Sequence, residues 1–177
     1  MKKDLSLWQF SGFAVSSLGG TLLHFLYDWT NKSILVAPFS GVNESTFEHM
    51  KLLYFPLFIF ALFQSRFFKE YENFWRIKLI GIITGLILIP VLFYTYNGAF
   101  GKSPDWLNIT IFFISAALSF LIEFLLFKNG KYKKKSTKLP FIIICIIGAL
   151  FIIFTFAPPH IPLFKDPLTH SYGIITK

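Results

Sequence analysis

His24, Asp28, Glu44, Glu48 and His49 crowd one short part of an otherwise apolar chain. Imidazole and carboxylate are ligand types that a divalent cation such as zinc takes. His24 and Asp28 stand at the i, i+4 spacing that offers two ligands from one helix face. Glu44, Glu48 or His49 would complete the shell from the following segment, with His160 a further imidazole downstream. A metal so held as candidate ligands His24, Asp28 and His49 imply lowers the pKa of a bound water toward neutrality, and Glu48 or Glu44 is then the candidate to move the proton. Without a reaction, His24, Asp28, Glu44, Ser45, Glu48 and His49 make a pocket for an ion or small ligand. A third reading needs no ligand: a neutral His24 or His49 satisfied by a carboxylate is an interhelical latch.

Helix capping explains some of these residues. Ser45 to Glu48 matches a capping box, in which Ser45 accepts from the amide of Glu48 and the Glu48 carboxylate reaches back to the amide of Ser45. The helix dipole accommodates Glu44. Neither effect explains His24, Asp28 or His49. An isolated buried polar group costs on the order of 2 to 7 kcal/mol, so His24, Asp28, Glu48 and His49 are expected to share one site.

The elements that position them are apolar segments. Of the 177 residues, 54% are hydrophobic, 20% are aromatic and 15% are charged, which is a membrane rather than a soluble composition. The net charge of +8 lies in short basic runs between apolar segments, as juxtamembrane anchors do, which argues against nucleic acid as a partner. Five stretches approach the roughly 20 apolar residues that a bilayer core requires, near 7–27, 46–65, 77–96, 106–127 and 139–156. The expectation is therefore a single all-α domain over 1–177, a five-helix transmembrane bundle in the cell membrane. The first segment is read as an uncleaved span rather than a signal peptide, because its apolar run continues to Tyr27.

Basic residues give the orientation. With the N-terminus inside, 12 of the 17 Lys and Arg fall on the cytoplasmic side, and Lys32, Lys51, Lys102, Lys165 and Lys177 fall outside. The positive-inside rule then predicts N-in and C-out, with a Pro-rich extracytoplasmic C-terminal tail. All four histidines fall on that outer side.

Within the spans, Gly12, Ser16, Gly20, His24 and Asp28 form one ridge, whose small members let a neighbouring helix come close. Gly81 and Gly85 do the same in the third span. Glu123 reads as a cytoplasmic rim carboxylate paired with Lys128, and the single Cys145 as a packing residue. The apolar connection 29–42 is expected to lie in the membrane interface or to dip back against the bundle, in the role of a lid.

The stretches His24-Phe25-Leu26-Tyr27-Asp28-Trp29, Asn43 to Lys51 and Pro162-Leu163-Phe164-Lys165-Asp166-Pro167 resemble a family of small bacterial multi-pass membrane proteins of unknown function. The resemblance runs over most of the chain and implies that these stretches belong together. Ser45 and His49 also have the Ser-x-x-x-His spacing of zinc-dependent membrane hydrolases, although the paired histidines of a later helix are missing. The functional expectation is an outward-facing His/carboxylate pocket for an ion or small ligand, serving transport, sensing or assembly. The alternative is a metal-dependent membrane hydrolase acting on an outer-leaflet or envelope substrate.

Overall fold

The computed structural model describes residues 4–129 and 137–174. Among these residues five helices follow one another: α1 (Leu5–Trp29), α2 (Thr46–Ser65), α3 (Phe74–Phe100), α4 (Asp105–Asn129) and α5 (Leu139–Phe156). A 3-10 turn, Pro162–Phe164, follows in the tail, and among the described residues the only β pairing is an isolated bridge between Lys165 and Tyr172. The basic stretch through Lys131, Lys133, Lys134 and Lys135 lies outside the described residues, as do Lys2, Lys3 and Lys177.

Four helices, α2 to α5, are long and apolar enough to cross a membrane. The 25-residue α1 is long enough but stands outside that set. Its arrangement explains why. Gln9, Gly12, Ser16, Ser17 and Gly20 face inward and lower its hydropathy, while Leu7, Phe10, Val15, Leu18, Leu22 and Phe25 are exposed. Water would favour the reverse arrangement.

α2 is the axis of the bundle, with 67% of its apolar window buried against 28% for α5. It packs on α1, α3 and α5, and α4 closes the other side through α1 and α3. Tyr54 of α2 donates to the carbonyl of Ile144 at 2.6 Å, and its ring lies 5.2 Å from that of Phe151. Glycine at 148 makes this approach possible, because a Cβ there would sit 2.7 Å from the phenol oxygen. The α3–α4 contact likewise uses Gly81 against Glu123 and Gly85 against Ser119.

Two charge assignments change. Glu123 does not sit at the rim with Lys128; it is fully buried, and Lys78 donates to it at 2.6 Å. The space left by Gly81 admits the carboxylate, and the Phe60, Phe74 and Phe120 rings lie 5.3–5.7 Å from the ammonium. Lys128 lies instead over Phe124. Lys51 is also fully buried, 2.6 Å from Glu48. Removing Lys78 and Lys51 from the loop charges changes the basic count from 12 against 5 to 11 against 4, so the asymmetry survives.

Candidate functional site

The site begins with the cap of α2. Ser45 is the N-cap and accepts from the amide of Glu48 at 3.4 Å, but the reciprocal half of the capping box is absent. Asn43 Oδ1 takes the Ser45 amide at 2.9 Å instead. Glu48 is thereby free to accept from the Val42 amide at 3.1 Å and to pair with Lys51. Lys51 completes its shell by donating to the Ala37 carbonyl and the Thr155 hydroxyl, each at 2.9 Å. A buried carboxylate and ammonium with these partners form a closed structural unit that ties the connection and α5 to α2.

One turn into α2, the His49 ring turns back on its own helix, with Nδ1 3.0 Å from the Ser45 carbonyl oxygen. That oxygen can only accept, so Nδ1 carries the hydrogen, and in the neutral ring Nε2 then presents a lone pair. Nε2 points toward Glu44 Oε2 at 3.6 Å, while His24 Nε2 lies 3.7 Å from the other oxygen, Oε1. The imidazole centroids are 5.9 Å apart. One ligand atom from each of His24, Glu44 and His49 falls within 4.8 Å of the other two. These separations exceed ordinary N–H···O hydrogen bonds of about 2.7–3.2 Å, so the group is not closed as a direct latch.

His24 is placed by the connection. The Ser40 hydroxyl donates to the Leu23 carbonyl and accepts from the Tyr27 amide at 2.9 Å, bridging two groups that a helical rung would join directly. The Gly41 amide also donates to Leu23 at 3.3 Å. The apolar connection therefore docks beside His24, and Ala37 and Ser40 are buried beneath its surface.

The three ligand-type groups line a cavity of about 340 Å³ whose other walls come from α3, α4 and the tail. Lys102, Ser103, Asp105 and Asn108 form its polar side, and Pro167 and Leu168 contribute from the tail. Ser103 is fixed by Asn97, whose Oδ1 accepts its amide at 2.8 Å, and by Asn108, whose Oδ1 accepts its hydroxyl at 2.9 Å. The tail is held by Phe164, whose ring lies tilted 4.4 Å from that of Phe47, and by Gly173, whose carbonyl accepts from Asn43 Nδ2 at 3.0 Å.

The sequence-derived set divides accordingly. His24, Glu44 and His49 come together, with Ser45 acting through its backbone carbonyl. Asp28 does not join them: it is exposed, about 6 Å farther along the helix axis, and Glu44 enters from the connection in its place. Glu48 is committed to Lys51 and Val42. His160 is exposed, its ring 4.6 Å from that of Tyr172. Lys102, Ser103, Asp105 and Asn108 were not among the expected site residues. The i, i+3 pair Asp105 and Asn108 at the start of α4 was the available signal, but an apolar helix often begins with such residues for capping alone.

No curated protein and no solved structure gives a significant match to this chain. The match that does appear covers residues 1–174, and by it the chain belongs to the family of unknown function DUF6512.

Proposed function

We propose that this is a multi-pass membrane protein of the cell membrane, N-in and C-out with five spans, whose outward-facing pocket binds a divalent cation of the zinc type through His24, Glu44 and His49. One observation carries the reading: His49, with its proton fixed toward Ser45, turns an Nε2 lone pair on the Glu44 carboxylate at 3.6 Å. In the neutral ring two acceptors face each other, a conflict that a cation between them would resolve. Ligands about 2.0–2.1 Å from a tetrahedral zinc lie about 3.3 Å apart, so a group whose ligand atoms all lie within 4.8 Å of one another has to close by at most about 1.5 Å to hold one. The Ser45 carbonyl supplies the outer-shell hydrogen bond that orients a ligating imidazole. Three protein ligands leave a fourth position, and the adjoining cavity provides room for an exchangeable ligand.

Binding is preferred to hydrolysis because of the proposed bases. Glu48 is held by Lys51, and Glu44 belongs to the ligand set, so neither is available to shuttle a proton. The bilayer is the partner implied by the apolar exterior, and the exchangeable position suits a small ligand.

Purified protein exposed to zinc and then desalted should retain about one zinc per chain by elemental analysis. His24→Ala, His49→Ala and Glu44→Ala should each lose it, while Asp28→Ala keeps it. Wild-type protein without zinc, or a loss in Asp28→Ala equal to that in His49→Ala, would overturn the assignment.

A further inference from the structure

A second cavity, of about 210 Å³, meets the first at the histidines. The two share His24, His49, Asn108, Ile109 and Phe112. Their chemistry differs. The second is otherwise walled by Gly20, Thr21, Phe25, Leu52 and Phe113, and the Thr21 hydroxyl is turned away to donate to Ser17 O at 2.9 Å. Its floor is buried, with Leu52 2% and Phe112 8% exposed, whereas its rim residues Phe25 and Ile109 are 46% and 57% exposed. This groove therefore opens sideways between α1 and α4, through a flank that faces hydrocarbon in a membrane. Gly20 preserves its depth, since a Cβ there would lie 2.8 Å from the Leu52 carbonyl oxygen and press on Phe112.

We propose that the joined cavities hold a single membrane amphiphile, with its oxyanion headgroup at the His24–Glu44–His49 centre beside Lys102 and its acyl chain in the apolar groove. The headgroup half rests on the cation reading above; the chain half does not. The charges in the polar cavity favour an anion once a divalent cation is bound, because Lys102 and the cation together exceed Glu44 and Asp105 by one positive charge. A small water-soluble anion would leave the lateral groove unused. A purely apolar molecule would leave Lys102 and the open coordination position without partners. A molecule with both parts matches both halves, and the outer leaflet supplies such molecules at the mouth of the groove.

The test uses full-length, zinc-loaded protein in amphipol, titrated calorimetrically with inorganic phosphate and with butyl, hexyl and octyl phosphate. Each added methylene should tighten binding about fourfold. Lys102→Met should weaken the whole series by a similar factor, and Thr21→Trp, which plugs the rim, should flatten the chain-length dependence while zinc content stays at the wild-type level. Inorganic phosphate binding as tightly as octyl phosphate would overturn the proposal in favour of a free anion. A chain-length series unchanged by Thr21→Trp would overturn it in favour of adsorption to the apolar exterior. The two readings separate cleanly: a groove-dependent series in protein that binds no zinc removes the cation and leaves the chain site, whereas stoichiometric zinc with a flat series does the opposite.

Discussion

Glu48 and Lys51 share a 2.6 Å contact with almost no solvent, so removing either one strands a charge in the bundle. Breaking such a pair typically costs about 3–5 kcal/mol, while replacing both members with apolar or neutral groups of similar size is far milder. Glu48→Gln and Lys51→Met should each lower the unfolding midpoint in detergent substantially, and the double variant should recover most of the loss. Equal destabilisation by single and double variants would mean that the side chains act independently. The same residues mark the limit of sequence reading at this scale. The histidines and carboxylates were legible from type and spacing, but which carboxylate meets them depends on where residues 30–45 run. That path is set by the hydrogen bonds of Ser40 and Asn43, to which neither periodicity nor composition refers. Hence Asp28, with the better spacing, lies outside and Glu44 lies inside.

At the scale of elements, the outer half of α1 is shaped by what docks on it. Ser40→Ala removes the bridge between Leu23 and Tyr27 and should cost about 1–3 kcal/mol, because a buried amide and carbonyl then lose a partner. It should also weaken zinc retention, since His24 follows the bridged carbonyl directly. Zinc affinity identical to wild type would show that the bridge stabilises the helix without placing the ring. The small-residue ridge gives a second contrast. Gly20→Leu drives side-chain atoms against Leu52 and Phe112 and should destabilise by about 1–3 kcal/mol, whereas Leu22, 48% exposed, should tolerate alanine. Equal melting temperatures for Gly20→Leu and wild type would mean that this face is not a helix contact. The ridge was readable as far as Gly20 and His24, because four-residue spacing on a helix is a geometric necessity. The pairing of Glu123 with Lys78 was not, since it requires α3 and α4 to be neighbours in a register that their separate sequences do not reveal.

At the scale of the molecule, charged groups are buried within an apolar core while many large apolar side chains lie outside. Glu48, Lys51, Lys78 and Glu123 are buried, while Leu18, Ile59, Ile87, Leu121 and Ile146 are exposed, an arrangement that water penalises and hydrocarbon permits. The helix count was accessible from apolar length, and so were most boundaries. The inward polar stripe of α1 was recognised only in part, because Gln9 and Ser17 lie off the four-residue ridge. For the proposed orientation, a reporter fused after residue 177 should be active outside the membrane and one inserted near residue 133 active inside. Both reporters on the same side would end the five-span arrangement, whatever the fate of the metal.

The clasp between Asn43 and Gly173 joins residues 130 positions apart. Its partner segment leaves the ribosome only after all five helices have been synthesised. Until that segment crosses to the outer side in the proposed orientation and Phe164 seats against Phe47, the cavity lacks the wall made by Pro167 and Leu168. Biogenesis of the pocket is thus separated in time from insertion of the bundle: a chain interrupted after α5 would possess His24, Glu44 and His49 but leave them open to the periphery. Occupancy of the pocket would then report that the tail had been made and had docked, which insertion of the helices alone does not.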